Sequence, residues 1–182
     1  VDESDKANNQ NIFYVDNALI FMQKLANYHR NNFDIPVIGI TGSNGKTSTK
    51  ELIYTILSTQ YNTLYTIGNL NNHIGVPLTL LRLTKEHNIA IIEMGANQPD
   101  DIKELCEIAE PNHGIITNIG KAHLEGFKTL EGVVKTKSAL YQSVSAKQGT
   151  VFYNTDDQIL TPILPTNTKN HSYGIANAEI QG

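Results

Sequence analysis

The chain has 182 residues, 40% hydrophobic and 18% charged, with 14 Lys and Arg against 18 Asp and Glu for a net charge of −4. Such a length buries a full core as one globular domain without a disulfide or structural metal, and the mild acidity disfavours a protein built to grip a nucleic-acid backbone. One cysteine, Cys106, excludes an internal disulfide framework and a multi-cysteine zinc site and fits a reducing, cytoplasmic compartment, while no run approaches the roughly eighteen apolar residues of a membrane span.

Residues 1–12 are polar and asparagine-rich and read as a tail or linker. They have neither the basic start nor the apolar core of a signal peptide. The missing initial Met, and an end at Gln181-Gly182 without a closing helix, lead us to expect an excised piece of a longer protein. Order is expected from Phe13. With Asp16 as N-cap, Leu19, Phe21, Met22, Leu25 and Ala26 recur three or four apart, which predicts a helix ending near Asn31. Pro36-Val37-Ile38-Gly39-Ile40 then reads as a strand buried on both faces.

The alternation continues through a helix over Lys46–Ser58, a strand at Thr63–Ile67, a helix around Val76–Leu83 and a strand at Ile89–Met94. A helix follows at Pro99–Ala109, with Pro at its first position, Asp100 and Asp101 in its first turn, and Ile102, Leu105, Cys106 and Ala109 on one stripe. Cys106 is thereby a core residue rather than a reactive thiol. A strand at Gly114–Ile119, a helix at Thr129–Val144 and a strand at Thr150–Tyr153 complete the series. Thr161–Asn167 reads as a loop and His171–Gly174 as at most one more short strand. Strands alternating with helices imply an α/β fold with a parallel sheet flanked by helices, and ligands at the carboxyl edge of the sheet.

The strongest chemical signal is Thr41-Gly42-Ser43-Asn44-Gly45-Lys46-Thr47-Ser48, after one strand and before a helix. Glycines let the loop curl so that its amides face inward, the helix N-terminus adds partial positive charge, and Lys46 adds a full one for β- and γ-phosphates. Thr47 would place its hydroxyl on Mg²⁺. The strict phosphate-loop pattern is not met, because Ile40 stands where its first glycine belongs; a chance turn before an ordinary lysine is the competing reading.

Three further strand ends share that edge. Glu93 closes Ile89–Glu93, where an acid could hold Mg²⁺ directly or through water. Asn118-Ile119-Gly120-Lys121-Ala122-His123-Leu124-Glu125 brings a histidine, His123, that could ligate a second metal or be an inconsequential surface residue. Gly68–Pro77 is rich in amides, and Asn69, Asn71, Asn72 and His73 are candidate substrate contacts. His29, His87 and His171 have no partners in sequence and read as solvated, and His113 begins a strand at the wrong end. Lys137 sits on the apolar stripe of its helix with Leu130, Val133, Val134, Leu140, Tyr141 and Val144, whereas Lys135 does not. A buried ammonium is costly, so Lys137 must be paired, snorkelling or chemically altered; an amine with a lowered pKa can add CO₂ to give a carbamate, a metal ligand.

Together these motifs resemble the ATP-dependent Mur ligases, a family that includes the folylpolyglutamate synthetases. The phosphate-loop variant matches 41–47, Glu93 matches the family's magnesium glutamate, 118–125 matches the segment with its metal-binding histidine, and Lys137 falls where the family has a lysine that becomes carbamylated. The resemblance implies catalytic roles for Lys46, His123 and Lys137, a first Mg²⁺ on Thr47 and Glu93, and a second on His123 and carbamylated Lys137. Within the family, Gly68–Pro77 with Glu93-Met94-Gly95-Ala96 most resembles members that add D-alanyl-D-alanine to a UDP-MurNAc-tripeptide. The chain would then be part of the central ATP-binding domain at 13–182, monomeric, without the UDP-sugar domain or the C-terminal domain, and not active alone. A nucleotide-binding module without ligase chemistry, another family subtype, and a phosphate-loop kinase stay open as alternatives.

Overall fold

The sheet grows from short apolar runs that can satisfy their backbone only by pairing with one another. The structure, a computed structural model, describes residues 12–120, 127 and 129–182. The central strand β1 (Val37–Thr41) pairs in parallel with β3 (Ile89–Glu93), setting Ile40 opposite Glu93, and with β4 (His113–Ile116), setting Thr41 opposite Ile116. Outside these lie β2 (Thr63–Tyr65) and β5 (Thr150–Asn154), then β6 (Lys169–Gly174) and β7 (Ile180–Gln181). The order is β2-β3-β1-β4-β5-β6-β7 with every pair parallel. The strand order reverses about β1, so the crevice at its carboxyl end is where such a sheet takes ligands.

Helix α2 (Lys46–Leu57) covers one face with Ile53, Tyr54 and Leu57 against Ile40, Ile91 and Ile115. On the other face α1 (Ala18–Arg30), α3 (Gly75–Leu80), α4 (Asp101–Ala109) and α5 (Leu130–Ala146) pack together. The larger core lies here and includes Leu80, Ile92, Met94, Ile102, Leu105, Val133 and Leu140. Cys106 is buried as expected, and burial pushes its thiol up to about 12.

Several boundaries differ from expectation for local reasons. The N-cap of α1 is Asn17, whose side chain accepts from Ile20 N at 3.0 Å, and not Asp16. Phe21 and Leu25, placed on the buried stripe by spacing, are half exposed. Helix α4 starts at Asp101 rather than Pro99: the Asp101 carboxylate accepts from Asn97 N and Gln98 N, closing a turn that leaves Asp100 at φ 69°. Strand β4 stops at Ile116, three residues short, because Thr117–Gly120 bonds to the loop after β1. The tail after Thr161 forms a short 3-10 turn, Thr161–Ile163, and two strands rather than at most one. His171 is not free in solvent, since its Nδ1 meets the Glu179 carboxylate at 2.8 Å and its ring stacks on Phe152. His29 and His87 also have partners, the Leu83 carbonyl and Thr84.

Candidate functional site

Thr41 ends β1 with its hydroxyl donating to the Met94 carbonyl at 2.9 Å, which fastens the carboxyl ends of β1 and β3. At Gly42, φ 150°, an added Cβ would overlap Thr117 Oγ1, so only glycine lets the chain turn here. Ser43 N donates to the Asn118 carbonyl at 2.9 Å, and Ser43 Oγ exchanges hydrogen bonds with Gly120 O and N. Asn44 N donates to Asn118 Oδ1, while its carbonyl accepts from Thr117 Oγ1 and Asn118 Nδ2. Gly45, at φ 78°, then launches α2. Lys46, Thr47 and Ser48 form the first turn, where backbone amides lack helical acceptors and favour an anion.

Two ammonium groups converge on one loop carbonyl. Lys46 Nζ donates to Gly42 O at 2.9 Å, and Lys137 Nζ, reaching from α5, donates to the same oxygen at 3.0 Å. Lys137 is 2% exposed and Lys135 stands in solvent, as the helical spacing required. Burial, and then the neighbouring charge of Lys46, bring Lys137 down to about 8. Burial also lowers Lys46, against the opposing pull of Glu93.

Glu93, 1% exposed, sits at the end of β3 with its amide donating to Thr66 Oγ1 at 3.0 Å. Its Oε1 accepts from Thr47 Oγ1 at 3.2 Å and Asn71 Nδ2 at 2.8 Å, whereas Oε2 has no hydrogen-bond partner. Lys50 Nζ stands 3.8 Å from Oε2. Sequence reasoning missed Lys50, although its spacing to Ile53, Tyr54 and Leu57 is the signal that singled out Lys137.

Of the asparagine-rich segment, Asn71 alone reaches Glu93. The Asn72 side chain instead accepts from Ile74 N and Gly75 N at the start of α3, and the Asn69 carbonyl accepts from Asn71 N. Lys46, Asn71, Asn72, His73, Gly95 and Asp101 help line a cavity of about 380 Å³ at this edge. His123 lies outside the described residues. Among the described residues no three His, Cys, Asp or Glu side chains gather around a point.

Residues 40–181 match the Mur ligase middle domain. The chain belongs to the Mur ligases. It is 47% identical over 142 residues to the UDP-N-acetylmuramoyl-tripeptide–D-alanyl-D-alanine ligase of Buchnera aphidicola subsp. Baizongia pistaciae, covering 78% of this chain and 31% of that one. It is 37% identical to the Bacillus subtilis enzyme of the same name, covering 93% and 37%. A crystal structure of MurF ligase from Thermotoga maritima in complex with ADP superposes with a TM-score of 0.86 at 35% identity, covering 94% of this chain and 40% of that one. The chain thus spans about a third of the length of the curated Mur ligases it matches.

Proposed function

We propose that residues 13–182 are part of the central ATP-binding domain of a longer, monomeric ligase that joins the carboxylate of a UDP-MurNAc-tripeptide to the amine of D-alanyl-D-alanine. The observation that carries this reading is the convergence of Lys46 and Lys137 on the Gly42 carbonyl, beside Glu93. A phosphate-loop kinase has no use for Lys137. Neither nucleic acid nor a membrane is a partner in this reading, and no helix among the described residues is long and apolar enough to cross a bilayer.

In the reaction, a carboxylate oxygen of the tripeptide attacks the γ-phosphorus of ATP and ADP leaves; the neutral dipeptide amine then attacks the acyl carbon of the resulting acyl phosphate, the C–O bond to phosphate breaks, and the amine proton departs with the leaving phosphate. Gly42, Gly45 and Ser48 offer backbone amides to the phosphates, while Thr41 anchors the loop and Ser43 and Asn44, their own amides bonded to Asn118, hold its curl. Lys46 leaves the Gly42 carbonyl to meet the charge spread over the transferring oxygens. Asn69, Asn71, Asn72 and His73 orient the acceptor. A first Mg²⁺ suits Thr47 and Glu93, since Glu93 Oε2 is buried without a hydrogen bond. A second would be held by His123 and carbamylated Lys137. Bound there, these ions would neutralise phosphate charge and polarise the acceptor carboxylate. Carbamylation needs unprotonated Lys137: its Nζ lone pair forms the bond to CO₂ and one proton departs. The low pKa of this lysine favours that form.

The test is ADP release by the intact protein. Release that requires both the UDP-linked tripeptide and D-alanyl-D-alanine, and that falls by about 10³-fold in Lys46→Ala, is the expected result. A stable phosphorylated product would mean a kinase; nucleotide binding without turnover would mean a binding module.

A further inference from the structure

Lys50, on the first turns of α2, is 0% exposed. Removing an ammonium from water is costly unless its protons are used, so the partners of Lys50 indicate its purpose. Nζ lies 3.0 Å from Glu51 Oε1, 3.3 Å from Gly68 O and 3.8 Å from Glu93 Oε2, with the Tyr65 ring 5.7 Å away. Chain 66–71 explains the geometry. Thr66 is still held to β3 through Ile91 O, after which the backbone leaves the sheet, and Gly68, at φ 56°, turns its carbonyl back to Lys50. Three residues later Asn71 donates to Glu93 Oε1. The segment therefore reaches one carboxylate by two routes, directly through Asn71 and indirectly through Gly68 and Lys50.

We propose that Lys50 is a positioning residue, which pins the Gly68 turn to the end of β3 and so seats Asn71 on Glu93 and forms the acceptor-binding loop. The proposal rests on the reading that the segment after Gly68 receives the UDP-linked tripeptide. Lys50 touches no reacting atom; its effect passes through the loop.

The intact protein with Lys50→Met tests this in two measurements. Amide hydrogen exchange without ligands should quicken at 68–75 while the β1 and β3 amides keep their protection. In steady-state ADP release the KM for the UDP-linked tripeptide should rise by about 10- to 100-fold, the range seen when a group orienting a ligand is lost, with ATP affinity within about twofold. Lys50→Gln keeps one donor for Gly68 O, is closer to the parent should Lys50→Met not fold, and should give a smaller change of the same pattern. Parental loop exchange in the folded variants overturns the proposal. So does a loss of ATP affinity matching the rise in KM, which would place the effect on the phosphate loop. If the parent protein itself releases no ADP with these substrates, the functional reading fails, while the exchange measurement still decides the role of Lys50.

Discussion

Two glutamates, Glu93 at the end of β3 and Glu110 at the end of α4, show how the same side chain serves opposite ends. Glu110 lies at the C-terminus of α4, at φ 48°, where Oε1 accepts from Asn27 at 3.0 Å and Asn31 at 3.1 Å and Oε2 pairs with Lys147. Both oxygens are served, and beside it Arg30 donates to the Ala109 and Glu110 carbonyls. This cluster ties α1 and α5 to the end of α4. Glu93 has one oxygen served by Thr47 and Asn71 and the other facing Lys50 beyond hydrogen-bond range. A saturated carboxylate holds a fold together, whereas one with an unused buried oxygen is available for a ligand.

The contrast breaks most sharply if both glutamates are neutralised. Glu93→Gln should lower ADP release by about 10²- to 10³-fold and leave the melting temperature nearly unchanged, because Thr47 and Asn71 keep an acceptor. A large fall in melting temperature with activity retained would make Glu93 a structural twin of Glu110. Next in size is Lys137→Ala, expected to lose about 10²-fold in turnover, with part of it restored by formate or acetate standing in for the carbamate. Parental rates in that variant without rescue would remove the carbamate from the mechanism.

The smallest effect belongs to Glu110→Gln, expected to destabilise by about 1 kcal/mol in denaturant unfolding, the scale of a partly exposed hydrogen-bonded ion pair, without altering turnover. Its pH dependence sharpens the comparison. Burial alone would raise the Glu110 carboxyl, but hydrogen bonds from Asn27, Lys147 and Asn31 outweigh it and hold it at about 2, against an ordinary 4.5. A depressed folded-state pKa contributes stability that is full above the unfolded value and lost as pH falls. Parent and variant should therefore differ above about pH 4.5 and converge as pH approaches 2. A constant difference across that range would assign the effect to packing.

Much of the site could be read in the sequence because it depends on short local patterns. The run from Val37 to Leu57 carries its strand, turn and helix within a few residues of the glycines, and Lys137 betrays itself by helical spacing. Lys50 follows the same spacing beside Ile53, Tyr54 and Leu57, but a lysine near a helix start has an easy reading as solvated, and its partners Gly68 and Glu93 are distant in sequence. In strand β6, Lys-Asn-His-Ser-Tyr-Gly, the sequence marks only His171–Gly174 as a short strand; the two polar residues before it join because β5 presents an edge from Thr150 to Asn154. At α4, Pro99 offers a good first-turn signal, which loses to the Asp101 carboxylate holding the preceding amides.

The bonds joining Ser43 and Asn44 to Thr117–Gly120 also govern the thermodynamics of anion capture. A loop laced to the segment after β4 has surrendered its conformational entropy during folding, so a phosphate arriving there need not freeze it. Nucleotide association should then show a small entropic penalty in calorimetry. Asn118→Ala, which removes both bonds of the Asn118 side chain to Asn44, should make the same binding entropically poorer while the Gly42, Gly45 and Ser48 amides stay as they are.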